Sequence, residues 1–218
     1  MGRRAAPVSG PVPGVHGVRM HAATAPRPGP ASTLGVEWHG SWAPREADDC
    51  ARVRELPTLQ RLLLTMDGTV TTALATIVDE AVGVRTLAQH SVTIDRDDEE
   101  LVLWAGGKVL DRRVLLHGAD SGAPLLYGAS RIVAHRLPRA ARDALVGGTI
   151  AIGLVLRTHE IETFRVPLSV GIRPASEEAA AHLGPGLMCW RTYAINAGGR
   201  PLMIVHEEFP AAGFGAQR

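Results

Sequence analysis

The chain has 218 residues, enough for one good-sized domain or two small ones, and 23 Lys and Arg residues offset 22 Asp and Glu residues to a net charge of +1. That balance excludes the strong positive electrostatic field with which many proteins bind nucleic acid or an anionic membrane. Two cysteines are too few for a disulfide framework and fit a reducing cytoplasm, and no apolar run reaches the roughly 18 residues of a transmembrane helix.

The first 50 residues differ in composition from the rest. They hold seven of the 15 prolines and seven of the 24 glycines, and Leu34 is their one leucine. Such a segment cannot bury enough apolar surface to offset the entropy lost on ordering. We therefore predict that residues 1–50 are disordered or loosely docked through Trp38 and Trp42, and that one folded domain spans residues 51–212.

Helical periodicity begins at Leu56. Apolar residues recur at helical spacing, and turn or capping residues mark the ends. Ser176 is a predicted N-cap, with two glutamates in the first turn and Gly184 beyond the end. The predicted helices are Leu56–Met66, Thr71–Asp79, Pro138–Leu145 and Ser176–Leu183.

Strand-like runs rich in Val, Leu and Thr occupy most of the remaining domain, separated by short turns. They are Val82–Ile94, Glu100–Trp104, Val109–Gly118, Pro124–His135, Thr158–Ile172, Leu187–Asn196 and Pro201–Phe209. Consecutive strands with short connections favour an antiparallel sheet. The sequence therefore predicts a single α+β domain, an antiparallel β-sheet with helices packed on one face.

The strand predicted over Val109–Gly118 carries an arginine on its apolar side. Side chains alternate between the two faces of a strand, so Arg112 shares a face with Val114 and Leu116. A buried arginine needs a partner. It is either half of an ion pair or an edge residue that reaches water, or it binds a ligand carboxylate through two parallel hydrogen bonds.

The last strand carries a glutamate in similar surroundings. Glu207 shares a face with Val205 and Phe209, whereas His206 and Glu208 belong to the other face. A partly desolvated carboxylate can accept a proton or hydrogen-bond to a hydroxyl. The alternative is a salt bridge to Arg191 on the neighbouring strand.

Other chemistry has little support. The nine histidines and two cysteines show no His-x-x-x-His or Cys-x-x-Cys spacing, so no metal site is expected. No Gly-x-Ser-x-Gly motif is present, and no motif surrounds Cys189, so nucleophilic catalysis is not indicated.

An ordered set of segments resembles the chorismate pyruvate-lyase family, and its actinobacterial branch in particular. The resemblance covers about residues 56–210. The segments are Leu-Leu-Leu-Thr-Met-Asp-Gly-Thr-Val-Thr (62–71), Val-Leu-Asp-Arg-Arg-Val-Leu-Leu (109–116), Arg-Leu-Pro (136–138), His-Glu-Ile-Glu-Thr-Phe-Arg (159–165), Arg-Thr-Tyr (191–193) and Gly-Gly-Arg-Pro-Leu-Met-Ile-Val-His-Glu-Glu-Phe (198–209).

The resemblance implies an enzyme that splits chorismate into 4-hydroxybenzoate and pyruvate without a cofactor, in a closed pocket between sheet and helices. By position, the family arginine that binds the ring carboxylate falls on Arg112. Backbone N–H groups that assist it fall at Val70, Ile152 and Gly153.

The same resemblance implies two further roles. The family glutamate that meets the ring hydroxyl falls on Glu207, and Arg191 is placed to hold the second carboxylate. Glu207 then either accepts the proton or orients the hydroxyl while the hydrogen moves within the substrate. The expected partner is a small aromatic or pre-aromatic carboxylate, and the expected assembly is a monomer or a homodimer.

Departures from the family keep other functions open. The proteobacterial enzymes carry a methionine at the position of Val70, and the residues around Ile152 differ. A changed pocket wall is compatible with a different carboxylated substrate in a specialised pathway. A non-catalytic ligand-binding domain is the third possibility, because the effector domain of a class of bacterial transcription regulators resembles this fold. A regulator needs a helix-turn-helix, which the Pro- and Gly-rich residues 1–50 are unsuited to supply.

Overall fold

A computed structural model describes residues 53–148 and 150–214 of the chain. The predictions for residues 1–50, including the docking of Trp38 and Trp42, lie outside the described residues. Over the described ranges, no helix is long and apolar enough to cross a membrane.

Six strands form one antiparallel sheet in the order β1-β2-β3-β6-β5-β4. Their bounds are β1 Val82–Thr93, β2 Lys108–Gly118, β3 Pro124–Ile132, β4 Phe164–Pro174, β5 Leu187–Ala197 and β6 Arg200–Pro210. The helices are α1 Thr58–Thr65, α2 Val70–Val78, α3 Arg139–Val146, α4 Ile152–Thr158 and α5 Glu177–Leu183, with a 3-10 turn at Ala134–Arg136. The predicted α+β class and antiparallel sheet are confirmed.

The helices α1 to α4 cover one face of the sheet, which we call the inner face. Leu63 of α1 and Leu74 of α2 pack on Leu116 and Phe209 near one end of the sheet. At the other end, side chains of α3 and α4 pack against β5 and β6; this cluster contains Ala141, Leu145, Val155, Leu156, Ile195, Met203 and Val205. Between the two clusters a cavity separates the helices from the inner face.

One helix lies on the opposite face, which differs from the expectation that all helices share one side. Ala179 of α5 packs against Tyr127 and Ala129 of β3, whose side chains point away from Arg112. The N-cap of α5 is as predicted, because the side chain of Ser176 accepts a hydrogen bond from the backbone N–H of Ala179 at 3.1 Å.

Two element predictions were wrong. Residues 100–104 form turns with one isolated bridge between Asp98 and Leu103 instead of a strand, and Val102 adopts a positive φ of 48° that breaks the extended backbone. The run predicted as a strand from Thr158 contains the end of helix α4, so β4 begins only at Phe164.

Candidate active site

A cavity lies between the two clusters, enclosed by the inner face of the sheet and the helices above it. Its floor is formed by β2, β3, β5 and β6, and the N-terminal ends of α2 and α4 form part of its wall. An apolar cavity with a few convergent polar groups is the usual form of a small-molecule site. Its polar or charged side chains include Arg112, Ser130, Arg165, Tyr193 and Glu207.

Arg112 is almost completely buried in the wall of this cavity, with 1% of its surface exposed. Its Nη2 donates to the backbone carbonyl oxygens of Gly148 at 3.0 Å and Ile150 at 2.8 Å. Its Nε is buried and has no hydrogen-bond partner within the described ranges, where no carboxylate lies at ion-pair distance either. Burial lowers the pKa of Arg112, although a guanidinium stays charged in proteins. A buried cation with an unused N–H group is suited to binding an anion.

The last residue of α3 and Gly148 are tied to the sheet beside Arg112. Thr86 donates its hydroxyl to the carbonyl of Gly148, and the side-chain amide of Gln89 donates to the carbonyl of Val146 at 2.8 Å. Thr86 and Gln89 are three residues apart, yet both reach this segment because a bulge follows Thr86. The cavity wall next to Arg112 is therefore held by side chains of β1 and β2.

Two helix N-termini meet at the same wall. Val70 is the first residue of α2, and Ile152 and Gly153 are the first two of α4. The first N–H groups of a helix have no partner inside the helix and carry a partial positive charge. A Cβ at Gly153 would lie 2.8 Å from Cγ2 of Thr69, so the two ends approach closely because Gly153 lacks a side chain. The cavity wall thus presents backbone N–H groups as well as Arg112.

Glu207 lies in the same cavity, on the next strand but one from Arg112. Gly128 and Ser130 of β3 lie between the two residues on the sheet, and both are small. Two strand spacings and a two-residue offset place the Cα atoms of Arg112 and Glu207 about 12 Å apart. The site therefore has a cationic end and an anionic end, with an open floor between them.

Both oxygens of Glu207 are already hydrogen-bonded. Its Oε2 lies 2.6 Å from Nε of Arg191, and its Oε1 accepts a hydrogen bond from the hydroxyl of Tyr193 at 3.0 Å. The glutamate and Arg191 are 4% and 3% exposed. Burial alone would lower the pKa of Arg191, but Glu207 raises it above its ordinary value. Burial and then the charge of Glu207 raise the pKa of Tyr193, which keeps its hydroxyl proton available for donation.

Arg191 is not among the residues that line this cavity; together with Arg165 and Tyr193 it lines a smaller pocket next to it. Its Nη1 donates to the carbonyl oxygens of Leu63 and Met66 at the end of α1. The salt bridge considered as an alternative for Glu207 is therefore present. Within the described residues, Nη2 of Arg191 is buried without a hydrogen-bond partner, and the contact of Arg191 with a second carboxylate stays a prediction.

Arg165 is a cavity residue that sequence reasoning did not single out. It lies on the inner face of β4, opposite Ile195, and lines the cavity. From Val170 and Ile172, simple alternation would place Arg165 on the other face. A bulge between Pro167 and Ser169 inserts one residue and reverses the alternation, so Arg165 points inward. The family-like segment 159–165, which ends at this arginine, was the one available signal.

Within residues 53–148 and 150–214, no three His, Cys, Asp or Glu side chains are grouped so that they could hold a metal ion. Cys189 is buried under α1, and burial raises the pKa of its thiol to about 12, which disfavours the reactive thiolate.

Comparison with known sequences points to one family. A family model described as chorismate pyruvate-lyase Rv2949c-like matches residues 64–214. A Mycobacterium tuberculosis protein named chorismate pyruvate-lyase is 29% identical over 163 residues, which cover 72% of this chain and 82% of the relative. A Mycobacterium leprae protein of the same name is 28% identical over 172 residues, which cover 72% of this chain and 76% of the relative.

Solved structures match this chain at low sequence identity, which shows a shared fold and nothing about function. The crystal structure of PhnF from Mycobacterium smegmatis matches with a TM-score of 0.54 and 15% identity, over 82% of this chain and 91% of that one. The structure of the PhnF effector domain matches with a TM-score of 0.52 and 17% identity, over 66% of this chain and 88% of that one.

Proposed function

Because this chain belongs to the Rv2949c-like chorismate pyruvate-lyase family, we propose that it is a lyase that cleaves chorismate to 4-hydroxybenzoate and pyruvate without a cofactor. The observation that carries the proposal is the pairing of two ends in one cavity: Arg112, buried with an unused Nε, and Glu207, held two strands away. A ring with a carboxylate at one end and a hydroxyl at the other matches this arrangement.

The ring carboxylate binds at Arg112. The N–H groups of Val70, Ile152 and Gly153 add hydrogen bonds at the same end, where two helix N-termini favour negative charge. The small residues Gly128 and Ser130 leave room for the ring on the floor of the cavity.

The ring hydroxyl donates to Glu207. Because Arg191 and Tyr193 already donate to both oxygens of this carboxylate, its negative charge is partly neutralised and its orientation is fixed. Glu207 therefore serves as an oriented hydrogen-bond acceptor, and the hydrogen on the ring carbon moves within the substrate. Of the two roles that the sequence leaves open for Glu207, we therefore favour orientation of the ring hydroxyl over acceptance of the proton.

The reaction needs few groups from the protein. The hydrogen at C4 leaves as a proton, its electron pair completes the aromatic ring, and the adjacent carbon–oxygen bond breaks. The electrons of that bond go to the departing enolpyruvate, which takes a proton at its methylene carbon to become pyruvate. The protein holds the enolpyruvyl group of the substrate over the ring and excludes water. Holding the two groups together lowers the entropic part of the activation barrier.

Incubation of the purified protein with chorismate tests the proposal, with both products followed by chromatography against a protein-free control. The expected result is formation of 4-hydroxybenzoate and pyruvate. A folded protein that binds 4-hydroxybenzoate but forms neither product contradicts it. That result favours a ligand-binding domain or an enzyme for another carboxylated substrate.

A further inference from the structure

Arg165 is the second cavity arginine whose charge the described residues leave largely unused. Its Nη1 donates to the backbone carbonyl of Asp67 at 2.8 Å, which fixes the position of the guanidinium. Its Nε is buried and has no partner in the described part of the chain, where no carboxylate lies at ion-pair distance from it. Arg165 is thus anchored through Nη1, and its Nε has no partner from the described protein.

The surroundings of Arg165 favour an anion. Its guanidinium carbon lies 6.0 Å from the centre of the Tyr193 ring, and that of Arg191 lies 5.1 Å from the same centre. Arg191 also has a buried nitrogen without a partner in the described residues, Nη2, but its charge is paired with Glu207 and that of Arg165 is not. Arg112, Arg165 and Arg191 against one glutamate leave two positive charges around the cavity, which complements a dianion.

We propose that Arg165, rather than Arg191, binds the carboxylate of the three-carbon side chain, and that it holds pyruvate after the bond is broken. This inference rests on the proposed function. Arg112 takes the ring carboxylate and Arg165 takes the side-chain carboxylate, so each carboxylate of the substrate has its own buried or half-buried guanidinium. Because the two arginines bind the two carboxylates from different sides of the cavity, the enolpyruvyl group of the substrate is held over the ring.

The test measures binding of the two products separately by calorimetry. Pyruvate is titrated into the wild-type protein, alone and with saturating 4-hydroxybenzoate, and into Arg165→Met. The matched control is Arg157→Met, which removes an exposed arginine of α4. The expected result is that pyruvate still binds when 4-hydroxybenzoate is present. Arg165→Met should weaken pyruvate binding by about tenfold or more, as loss of a charge-assisted hydrogen bond predicts, while 4-hydroxybenzoate affinity stays within a factor of about three.

Three results overturn the assignment. The first is no binding of pyruvate to the wild-type protein, the second is competition between pyruvate and 4-hydroxybenzoate for one site, and the third is an unchanged pyruvate affinity in Arg165→Met. Arg165→Lys is the second variant if the methionine variant does not fold. It keeps the charge and should retain part of the pyruvate affinity, whereas unchanged kcat/KM for chorismate in both variants contradicts the role.

The pyruvate titrations and the chorismate assay together separate this inference from the proposed function. If pyruvate binding depends on Arg165 but chorismate is not converted, the carboxylate subsite stands and the proposed reaction fails. If chorismate is converted equally well by wild type and Arg165→Met, the reaction stands and the subsite is refuted.

Discussion

Arg191 and Glu207 lie directly opposite each other on β5 and β6, with Nε of the arginine 2.6 Å from Oε2 of the glutamate. The arginine also holds the end of α1 through the carbonyl oxygens of Leu63 and Met66. One buried ion pair therefore positions a cavity carboxylate and attaches a helix to the sheet. In the proposed site, Arg191 therefore acts as a positioning residue for Glu207.

We expect Arg191→Met to be strongly destabilising, because it leaves the carboxylate of Glu207 buried and without its charged partner. Loss of one member of a buried pair costs about 3–5 kcal/mol in the free energy of unfolding. Glu207→Gln should cost less, since Arg191 keeps its backbone carbonyl partners. The double variant, with Arg191→Met and Glu207→Gln together, should be more stable than Arg191→Met alone, as measured by urea unfolding. Single-variant losses that simply add would show that the two residues are not coupled.

Arg112→Lys should weaken the binding of 4-hydroxybenzoate by about tenfold to a hundredfold, because an ammonium cannot reproduce the planar array of donors. The matched control is Arg113→Lys, the next residue along β2, whose side chain faces Glu178 on the opposite side of the sheet. Calorimetric titration of the two variants measures the difference. Equal affinities in the two variants would mean that Arg112 does not contact the ligand.

Val70→Pro removes one backbone N–H from the carboxylate end of the cavity and leaves α2 intact. Proline is accepted at the first position of a helix, and Thr69 already has the extended conformation that a following proline requires, with φ −79° and ψ 112°. We expect 4-hydroxybenzoate affinity to fall by about tenfold, the value of a hydrogen bond to a charged group. Val70→Thr keeps the N–H and nearly the same shape. If both variants bind equally well, this N–H does not reach the ligand.

Glu208, on the opposite face from Glu207, should govern part of the acid sensitivity. Burial alone would raise its pKa, but hydrogen bonds from His206 and from the backbone N–H of Ser176 hold the pKa at about 2. A carboxyl whose pKa is lower in the folded state stabilises the fold above its unfolded pKa of 4.5, and this stability is lost as the pH falls toward about 2.

For Glu208→Gln we therefore expect a smaller loss of stability between about pH 5 and about pH 3 than for wild type, within a total effect of roughly 3 kcal/mol. Urea unfolding at the two pH values measures it. Glu177→Gln, which changes an exposed glutamate of α5, is the control and should behave like wild type. If Glu208→Gln and wild type lose the same free energy of unfolding between the two pH values, Glu208 does not contribute to the acid sensitivity.

The sequence was sufficient to predict which strand residues face inward where the alternation is unbroken. Arg112 and Glu207 were predicted on the inner face because the residues around them in β2 and β6 alternate without a bulge, and both line the cavity. The fold class was predictable for the same reason, since short turns between alternating runs favour antiparallel pairing.

Features that depend on register were not predictable from the sequence. The inward direction of Arg165 results from the bulge before Ser169, and alternation alone gives the wrong face. The sequence allowed the salt bridge between Arg191 and Glu207 only as one of two alternatives, because it depends on whether the two residues are cross-strand partners. Helix α4 has only seven residues, and its apolar, β-branched sequence Ile-Gly-Leu-Val-Leu does not distinguish helix from strand.

The most direct test of the central claim is the stoichiometry of products from chorismate, measured for wild type and Arg112→Lys in one assay. We predict that wild type releases 4-hydroxybenzoate and pyruvate in equal amounts as chorismate disappears, and that Arg112→Lys does so much more slowly. Wild-type protein that is folded and binds 4-hydroxybenzoate, yet consumes chorismate no faster than the protein-free control, would contradict the account.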